Sequence, residues 1–204
     1  RERFLRTMRF ESVDHPPFPH AGGPWPATRK RWEREGLPRG ADLSDYFGLE
    51  PMPREHVALD TLLFPPFEEE VLEETADYVI KIDKHGVKVR NFKDETSMPE
   101  HLDYPIKDRE SLAWLREKLN WDTPGRVEPD WLERANKARA DGKLVFANGG
   151  MYFAFLNEHM GTEPLMMTYF EDPDFIHEVN DLLCTLCENV LRTVLPECQL
   201  DMIG

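Results

Sequence analysis

Residues 200–204 read LDMIG, a short apolar run that directly follows a long amphipathic helix. An α/β unit continues in this way, because the helix carries the chain back to the next parallel strand of the same sheet. Such a strand needs a neighbour at each edge and helices on both faces. We therefore expect this chain, which starts at Arg1 rather than at methionine, to be the front portion of a larger enzyme built on a parallel sheet.

The helix before this run has the clearest pattern in the sequence. Asp172 is suited to cap its N-terminus, and Pro173 is suited to its first turn. Apolar side chains then recur every three or four residues, which predicts that one face of the helix packs on a core. The predicted core stripe consists of Phe175, Ile176, Val179, Leu183, Leu186 and Val190.

A second buried strand is predicted upstream of this helix. Residues 143–148 read KLVFAN, an apolar run typical of a parallel sheet, and a helix is predicted over residues 151–160. Two further helices are predicted over residues 108–119 and 129–142. This alternation of strands and helices favours an α/β fold of the (β/α)8 TIM-barrel type, with an open sheet as the alternative that periodicity does not exclude.

The first half contains weaker strand patterns. Residues 18–23 predict a strand that runs into a glycine turn, and residues 57–64 predict another that ends at two prolines. Residues 77–93 alternate with period two around a KHG turn, which predicts an antiparallel β-hairpin inserted into the barrel. The acidic run over residues 68–74 is interpreted as a solvated helix face.

Composition restricts the possible functions. The formal net charge is −14, whereas nucleic-acid binding requires a basic surface, so this class of function is not expected. No apolar run is long enough to cross a membrane, and the opening residues lack the apolar stretch of a signal peptide. Three cysteines are too few for a disulfide framework. Together these features predict a cytoplasmic protein without nucleic-acid or membrane partners.

Asp60 is the most informative candidate for chemistry. It is a lone carboxylate within the predicted strand 57–64, near the end where the functional face of a (β/α) barrel lies. Burial there would shift its pKa and let it relay a proton or hold a cation, whereas the alternative is a turn-forming Asp. His20, beside Gly22 and Gly23, could reach the same face, and its alternative is a structural role.

Glycines mark a second candidate site. Asn148 ends the predicted strand, and Gly149 and the next glycine precede a helix. Glycine lets the backbone approach a ligand, and helix N-terminal amides can hold an anion, but a tight turn without ligand is equally consistent. Cys184 and Cys187 form a Cys-x-x-Cys pair inside the long helix. Burial as small apolar residues is favoured for this pair over a zinc site, which would need two more ligands.

Several segments occur in a characteristic order along the chain. They are RERFLR at 1–6, FESVDHPP at 10–17, FPPFEEE at 64–70, GG at 149–150, MG at 160–161 and DPDF at 172–175. Their succession, rather than any single motif, resembles the uroporphyrinogen decarboxylase superfamily over essentially the whole chain. The resemblance implies that residues 1–204 are the N-terminal portion of one (β/α)8 barrel domain.

The resemblance also implies one of two chemistries. These are decarboxylation of uroporphyrinogen without a cofactor, and corrinoid-dependent methyl transfer with a bound zinc ion. In the decarboxylases an aspartate after an early strand contacts the pyrrole N–H groups, and Asp60 matches that position. Arg29 matches a family arginine, but Pro19 and Gly23 stand where two substrate-binding arginines are expected. Asn157 stands near an expected tyrosine.

These departures favour methyl transfer on a small molecule. Each lost charge-assisted contact to a substrate carboxylate would cost about 1.5–3 kcal/mol. The resemblance places any zinc ligands beyond residue 204, so no metal ligand is named in this chain. The decarboxylase and a non-catalytic ligand-binding barrel are the alternatives. The partners that this interpretation allows are a small-molecule substrate, a corrinoid protein and a second copy of the chain.

Asp60 is the predicted catalytic residue. Its expected role is to orient or protonate the substrate at the barrel mouth. The predicted substrate-binding residues are His20, Gly22, Gly23, Arg29, Asn148, Gly149 and Asn157.

Overall fold

The computed structural model describes residues 1–18, 23–50, 52–57, 62–94, 98–149 and 152–203, which form a mixed α/β fold. The helices are α1 (Glu2–Met8), α2 (Pro26–Glu35), α3 (Leu43–Phe47), α4 (Leu112–Lys118), α5 (Trp131–Ala140), α6 (Tyr152–Met160), α7 (Thr162–Glu171) and α8 (Pro173–Val194), with a 3₁₀ turn over Arg109–Ser111. The strands are β1 (Arg54–His56), β2 (Glu70–Glu74), β3 (Tyr78–Ile82), β4 (Lys88–Phe92), β5 (Glu100–Asp103), β6 (Leu144–Ala147) and β7 (Met202–Ile203).

Strands β1, β6 and β7 form a parallel sheet with β6 in the middle. Arg54 of β1 lies opposite Leu144 of β6, and Met202 of β7 lies opposite Phe146. Three of the four residues of β6 are buried, which explains why this strand has a continuous apolar sequence. The strand expected at residues 200–204 is therefore present as β7, parallel to β6.

Strands β2, β3, β4 and β5 form a separate antiparallel sheet in that order. Tyr78 lies opposite Phe92, so β3 and β4 form an antiparallel hairpin where the sequence predicts one over residues 77–93. Gly86 in the turn has φ +79°, and a Cβ atom there would lie 2.8 Å from the ring of Phe67, so only glycine fits. Strands β2 and β5 widen the hairpin to four strands, whereas the sequence predicts only two.

The predicted (β/α)8 barrel is wrong. The strands that the structure describes belong to two separate sheets, one parallel with three strands and one antiparallel with four, and this is not a barrel pattern. The apolar runs in the sequence identify buried strands, but their periodicity carries no information about whether a sheet closes on itself. Sheet order and closure depend on long-range pairing, which the local pattern does not specify.

Two local predictions in the first half are also wrong. The strand expected over residues 57–64 is absent from the described part of that range, since β1 ends at His56 and Leu62 lies in a bend. The acidic run interpreted as a helix face contains strand β2, whose residues are all exposed. The Lys93 ammonium lies 2.8 Å from the Glu74 carboxylate of this strand. Charged side chains on an edge strand hinder its pairing with another sheet.

Helix α8 follows its prediction closely. The Asp172 carboxylate accepts a hydrogen bond from the Phe175 N–H at 3.2 Å, and Pro173 occupies the first turn. All six predicted stripe residues are buried, and they share one apolar cluster with Val145 and Ala147 of β6. Burial of each large apolar side chain stabilises the fold by about 1.5–3 kcal/mol. Neither α8 nor any other helix of the described ranges is long and apolar enough to span a membrane.

The side chain of a buried arginine connects the segment after β1 to the loop after α4 through hydrogen bonds. Arg126 is 1% exposed, and its Nε donates to the Asn120 carbonyl at 3.0 Å while Nη1 donates to the Leu62 carbonyl at 2.9 Å. Its guanidinium lies 5.4 Å from the centroid of the Phe64 ring. Arg126 is not among the residues predicted from the sequence, because an isolated arginine gives no local sign that it is buried.

Candidate functional site

The carboxyl end of β6 leads to a surface cleft. Asn148 follows the strand and is exposed, and Gly149 lines the cleft. Ligands of open α/β sheets bind outside the carboxyl ends of the strands, so this position is a reasonable place for a ligand. We call it the β6–α8 cleft; its volume is about 390 Å³, and its lining residues are Gly149, Tyr152, Cys184, Cys187, Glu188, Leu191, Arg192 and Leu195.

Tyr152, the first residue of α6, contributes a phenol to the β6–α8 cleft. Cys184 and Cys187 of α8 line the same cleft. Interaction with the Cys184 thiol, partial burial and the neighbouring sulfur atoms raise the pKa of Tyr152 to about 12. The phenol is therefore a neutral hydrogen-bonding group near pH 7 and not a base.

The two cysteines of the cleft differ in exposure. Cys184 and Cys187 lie three residues apart on α8, so their side chains are neighbours on the helix surface. Cys184 is exposed, whereas Cys187 is buried. Burial raises the pKa of the Cys187 thiol, which is therefore neutral near pH 7. The prediction that both cysteines are buried is right for Cys187 and wrong for Cys184.

An ion pair lies at the rim of the cleft. The Arg192 Nε donates to the Glu188 carboxylate at 3.2 Å, one helical turn away. Because these two charges compensate each other, they add no net charge to the cleft. Leu191 and Leu195 contribute apolar surface beside them. The lining as a whole suits a neutral ligand with a mainly apolar body and few hydrogen-bonding groups.

The predicted site residues do not form a cluster in the described part of the chain. Asp60, His20 and Gly22 lie outside the described residues. Gly149 lines the β6–α8 cleft, and Asn148 directly precedes it. The glycine prediction is the one that leads to the cleft.

The remaining predicted residues have other surroundings. Arg29 donates to the Ala41 carbonyl at 2.6 Å and lies 3.4 Å from the Glu33 carboxylate, so it fastens α2 to the loop before α3. Asn157 accepts a hydrogen bond from the Thr162 hydroxyl at 2.8 Å, which joins α6 to α7. Gly23 is exposed and has open space where a Cβ atom would lie. These three residues do not line the β6–α8 cleft.

A second cleft, of about 360 Å³, involves the antiparallel sheet and α6. Its polar lining includes Asp83, His85, His101 and Glu158. The positive and negative groups are mixed, and Asp83 is already used by the hairpin turn, where it accepts from the N–H of His85 at 2.9 Å. The chemistry of this cleft is therefore less defined than that of the β6–α8 cleft.

Beside the second cleft lies a buried histidine. His159 is 1% exposed, and its ring centroid lies 5.9 Å from that of His85. Burial lowers the pKa of His159, so the imidazole is neutral and its Nδ1–H donates to the Phe155 carbonyl at 2.7 Å. The His159 Nε2 atom has no hydrogen-bond partner among the described residues. His159 thus joins α6 to the hairpin turn as a neutral packing group.

The zinc ligands that the resemblance implies would lie beyond residue 204, outside the described ranges. Those ranges contain no group of three or more His, Cys, Asp or Glu side chains that could hold a metal ion. No reaction step is therefore assigned to zinc in this chain. No protein-family model matches the chain, and neither does any curated protein or solved structure.

Proposed function

We propose that this chain is an enzyme of the uroporphyrinogen decarboxylase superfamily whose chemistry is methyl transfer on a small molecule. The order of the sequence segments supports the superfamily. The β6–α8 cleft, at the carboxyl end of a buried parallel strand, supports a small-molecule site. The observation that carries the choice of chemistry is a cleft lining without net charge, in which Tyr152, Cys184 and Cys187 lie beside the compensated pair of Glu188 and Arg192.

A lining without net charge suits methyl transfer for a physical reason. A methyl group carries no charge, so a substrate that gives or accepts it needs no cluster of cations. In this proposal the Tyr152 hydroxyl forms a hydrogen bond with the substrate. Gly149 has no side chain, so a polar group of the substrate can approach the backbone there. The Asn148 amide, next to Gly149, contributes a second orienting hydrogen bond. The leucines of the cleft contact the apolar part of the substrate and exclude water.

Decarboxylation of uroporphyrinogen is the alternative within the same superfamily. It requires cations for the substrate carboxylates, and Arg29 and Arg31 are the arginines that could supply them. Arg29 is engaged with Ala41 and Glu33, and the Arg31 Nε lies 3.2 Å from the Glu35 carboxylate. Freeing either guanidinium would cost existing contacts before it could bind substrate. This argument favours methyl transfer over decarboxylation.

The compartment and the methyl carrier belong to the same proposal. All three cysteines are free thiols, which supports a cytoplasmic location, because that compartment keeps thiols reduced. A corrinoid protein is proposed as the methyl carrier, and its support is the sequence resemblance alone.

The test incubates the full-length protein with methylcobalamin and a series of small thiols without oxygen. Loss of the methyl group is followed by the visible absorption of the corrinoid. We expect protein-dependent demethylation that falls about tenfold in Tyr152→Phe, equivalent to about 1.4 kcal/mol of transition-state stabilisation. Tyr169→Phe is the matched control, since Tyr169 is exposed on α7.

Two results would contradict the proposal. One is an absence of corrinoid-dependent turnover by the full-length protein with every thiol tried. The other is formation of coproporphyrinogen from uroporphyrinogen, which would establish the decarboxylase instead.

A further inference from the structure

The second cleft, at the antiparallel sheet and α6, is framed by side chains that strand register places on one face of the sheet. Lys81 of β3 lies opposite Val89 of β4, and Val89 lies opposite His101 of β5. Residues opposite each other point to the same face, and so does Asn91, two residues after Val89. All four line the cleft. Its volume of about 360 Å³ lies at the lower end of the range of about 300–1,000 Å³ for small-molecule sites, so it suits a small ligand.

We propose that the second cleft binds a free α-amino acid with an aliphatic side chain, by pairing with both its ammonium group and its carboxylate. The described residues that line this cleft are different from those that line the β6–α8 cleft. The proposal therefore does not rest on methyl transfer, and its test measures ligand binding instead of turnover.

Several charged groups of the second cleft are already paired within the protein. The Lys81 ammonium forms an ion pair with the Glu69 carboxylate. The Asp83 carboxylate accepts hydrogen bonds from the N–H groups of His85 and Val87, both at 2.9 Å. These side chains stabilise the sheet and its hairpin turn, so they are not the groups that would hold a ligand.

One cation and one carboxylate of the cleft have no such pairing. Neither the Lys84 ammonium, on the hairpin turn, nor the Glu158 carboxylate, on α6, forms a salt bridge with another described residue. A simple anion would be repelled by Glu158, and a simple cation would be repelled by Lys84. An α-amino acid carries both charges, so its carboxylate can pair with Lys84 while its ammonium group pairs with Glu158. These two side chains therefore favour a zwitterion.

A buried acceptor in the cleft also calls for a ligand with N–H groups. The Asn91 Oδ1 atom is buried and accepts no hydrogen bond from the described residues. Buried acceptors are normally paired in native proteins. An ammonium group has three N–H donors, so it can donate to Asn91 as well as to the Glu158 carboxylate. Val89, which is 3% exposed, and Met98 add apolar surface for an aliphatic side chain.

The experiment titrates the full-length protein with L-leucine and follows binding by saturation-transfer difference NMR of the leucine methyl groups. Isocaproate, which lacks the ammonium group, and isoamylamine, which lacks the carboxylate, are titrated in the same way. We expect saturable binding of L-leucine. The Kd of each analogue should be about tenfold higher or more, because each loses one charge-assisted contact.

Two variants remove the charges of the cleft one at a time. Lys84→Met and Glu158→Gln should each weaken the binding of L-leucine about tenfold. Lys84→Met should not weaken isoamylamine, which has no carboxylate, and Glu158→Gln should not weaken isocaproate, which has no ammonium group. A merely structural effect would weaken all three ligands together.

Lys30→Met and Glu163→Gln are the matched controls. Both residues are exposed on helices that do not line the cleft, α2 and α7, so these variants should bind L-leucine as the parent does. Absence of saturation, analogues that bind as tightly as L-leucine, or equal binding by cleft and control variants would each overturn the proposal. Corrinoid-dependent turnover plays no part in this measurement, so failure of amino-acid binding and failure of methyl transfer are distinguishable.

Discussion

Asp201 and Val145 are joined by two hydrogen bonds, which attach β7 to the central strand of the parallel sheet. The Asp201 N–H donates to the Val145 carbonyl at 2.7 Å, and the Val145 N–H donates to the Asp201 carboxylate at 2.9 Å. The same carboxylate accepts two hydrogen bonds from the Arg1 guanidinium, at 2.6 and 3.0 Å. Asp201 therefore connects the first and last parts of the described chain.

Asp201→Ala should lower the free energy of unfolding by about 2–4 kcal/mol, because it leaves the Val145 N–H and the Arg1 guanidinium without their partner. Asp201→Asn should lose less, since its amide oxygen can still accept from Val145. Urea unfolding monitored by circular dichroism measures both effects. Asp181→Ala, at an exposed position of α8, should stay within about 0.5 kcal/mol of the parent. Equal stability of Asp201→Ala and the parent would show that the contact does not hold β7.

His159 should make the fold less stable in mild acid. Burial lowers its pKa, while the carboxylates of Asp83 and Glu158 raise it and His85 lowers it further. Below about pH 6.5 the unfolded chain therefore takes up a proton that the folded chain does not. Stability is lost as the pH falls from about 6.5 towards the folded pKa, by at most about 1.4 kcal/mol per pH unit.

The free energy of unfolding would be measured by urea titration between pH 7.5 and 5 for the parent, His159→Gln and the control His177→Gln. This range extends about one pH unit or more on either side of the ordinary histidine pKa. His177 is exposed on α8, so its variant should keep the pH dependence of the parent. His159→Gln should have a flatter profile. Parallel profiles for all three proteins would mean that His159 is not responsible.

Arg126→Ala should destabilise the protein by about 3–5 kcal/mol, because the carbonyls of Leu62 and Asn120 lose a donor and a buried volume is left empty. Arg126→Met fills most of the volume that Arg126→Ala leaves empty but supplies no hydrogen-bond donors. The free energy of unfolding that Arg126→Met still loses relative to the parent therefore measures the contribution of the hydrogen bonds. Arg31→Ala breaks a solvent-exposed ion pair with Glu35 and should cost less than about 1 kcal/mol. A similar loss in the Arg31 and Arg126 variants, measured by urea unfolding, would contradict the role assigned to Arg126.

Gly161→Ala should destabilise the junction of α6 and α7 for two reasons. Gly161 has φ +82°, and an added Cβ atom would lie 2.5 Å from the Tyr104 ring. The backbone strain costs about 1–2 kcal/mol and the overlap about 1–3 kcal/mol more. Gly142→Ala, at φ +75° with open space around it, isolates the first contribution. In a Tyr104→Ala background, Gly161→Ala should lose only the stability due to backbone strain, as measured by thermal unfolding. An equally large loss in both backgrounds would exclude overlap with the Tyr104 ring as a cause.

Local patterns were sufficient for most of the second half of the fold, although helix α7 (Thr162–Glu171) has no counterpart among the predicted elements. The apolar stripe of α8, its Asp172 cap and the strands β6 and β7 were predicted from residues that are close together in the sequence. The first half was harder, because β1 is only three residues long and β2 is an exposed acidic strand. Strand β2 owes its extended conformation to pairing with β3, because its own acidic residues do not favour a strand.

The candidate site was predicted only in part. Gly149 was recognised from the glycine pair after a buried strand, and this reasoning leads to the β6–α8 cleft. Tyr152 follows the glycine pair closely in the sequence. It shares the cleft with Cys184, however, and the two residues belong to different helices, α6 and α8. A contact over that sequence separation has no local pattern that could reveal it.

The amino-acid sequence by itself determined helices α4, α5, α6 and α8 and the parallel strands β6 and β7, because periodicity and capping act within a few residues of the chain. Only the tertiary structure decided that the strands divide into an open parallel sheet and a separate antiparallel sheet, and that Tyr152 lines the same cleft as the two cysteines of α8. These two features depend on which distant segments pack together. The free energy of such packing is determined by both segments of a pair, so the local sequence of one segment does not predict it.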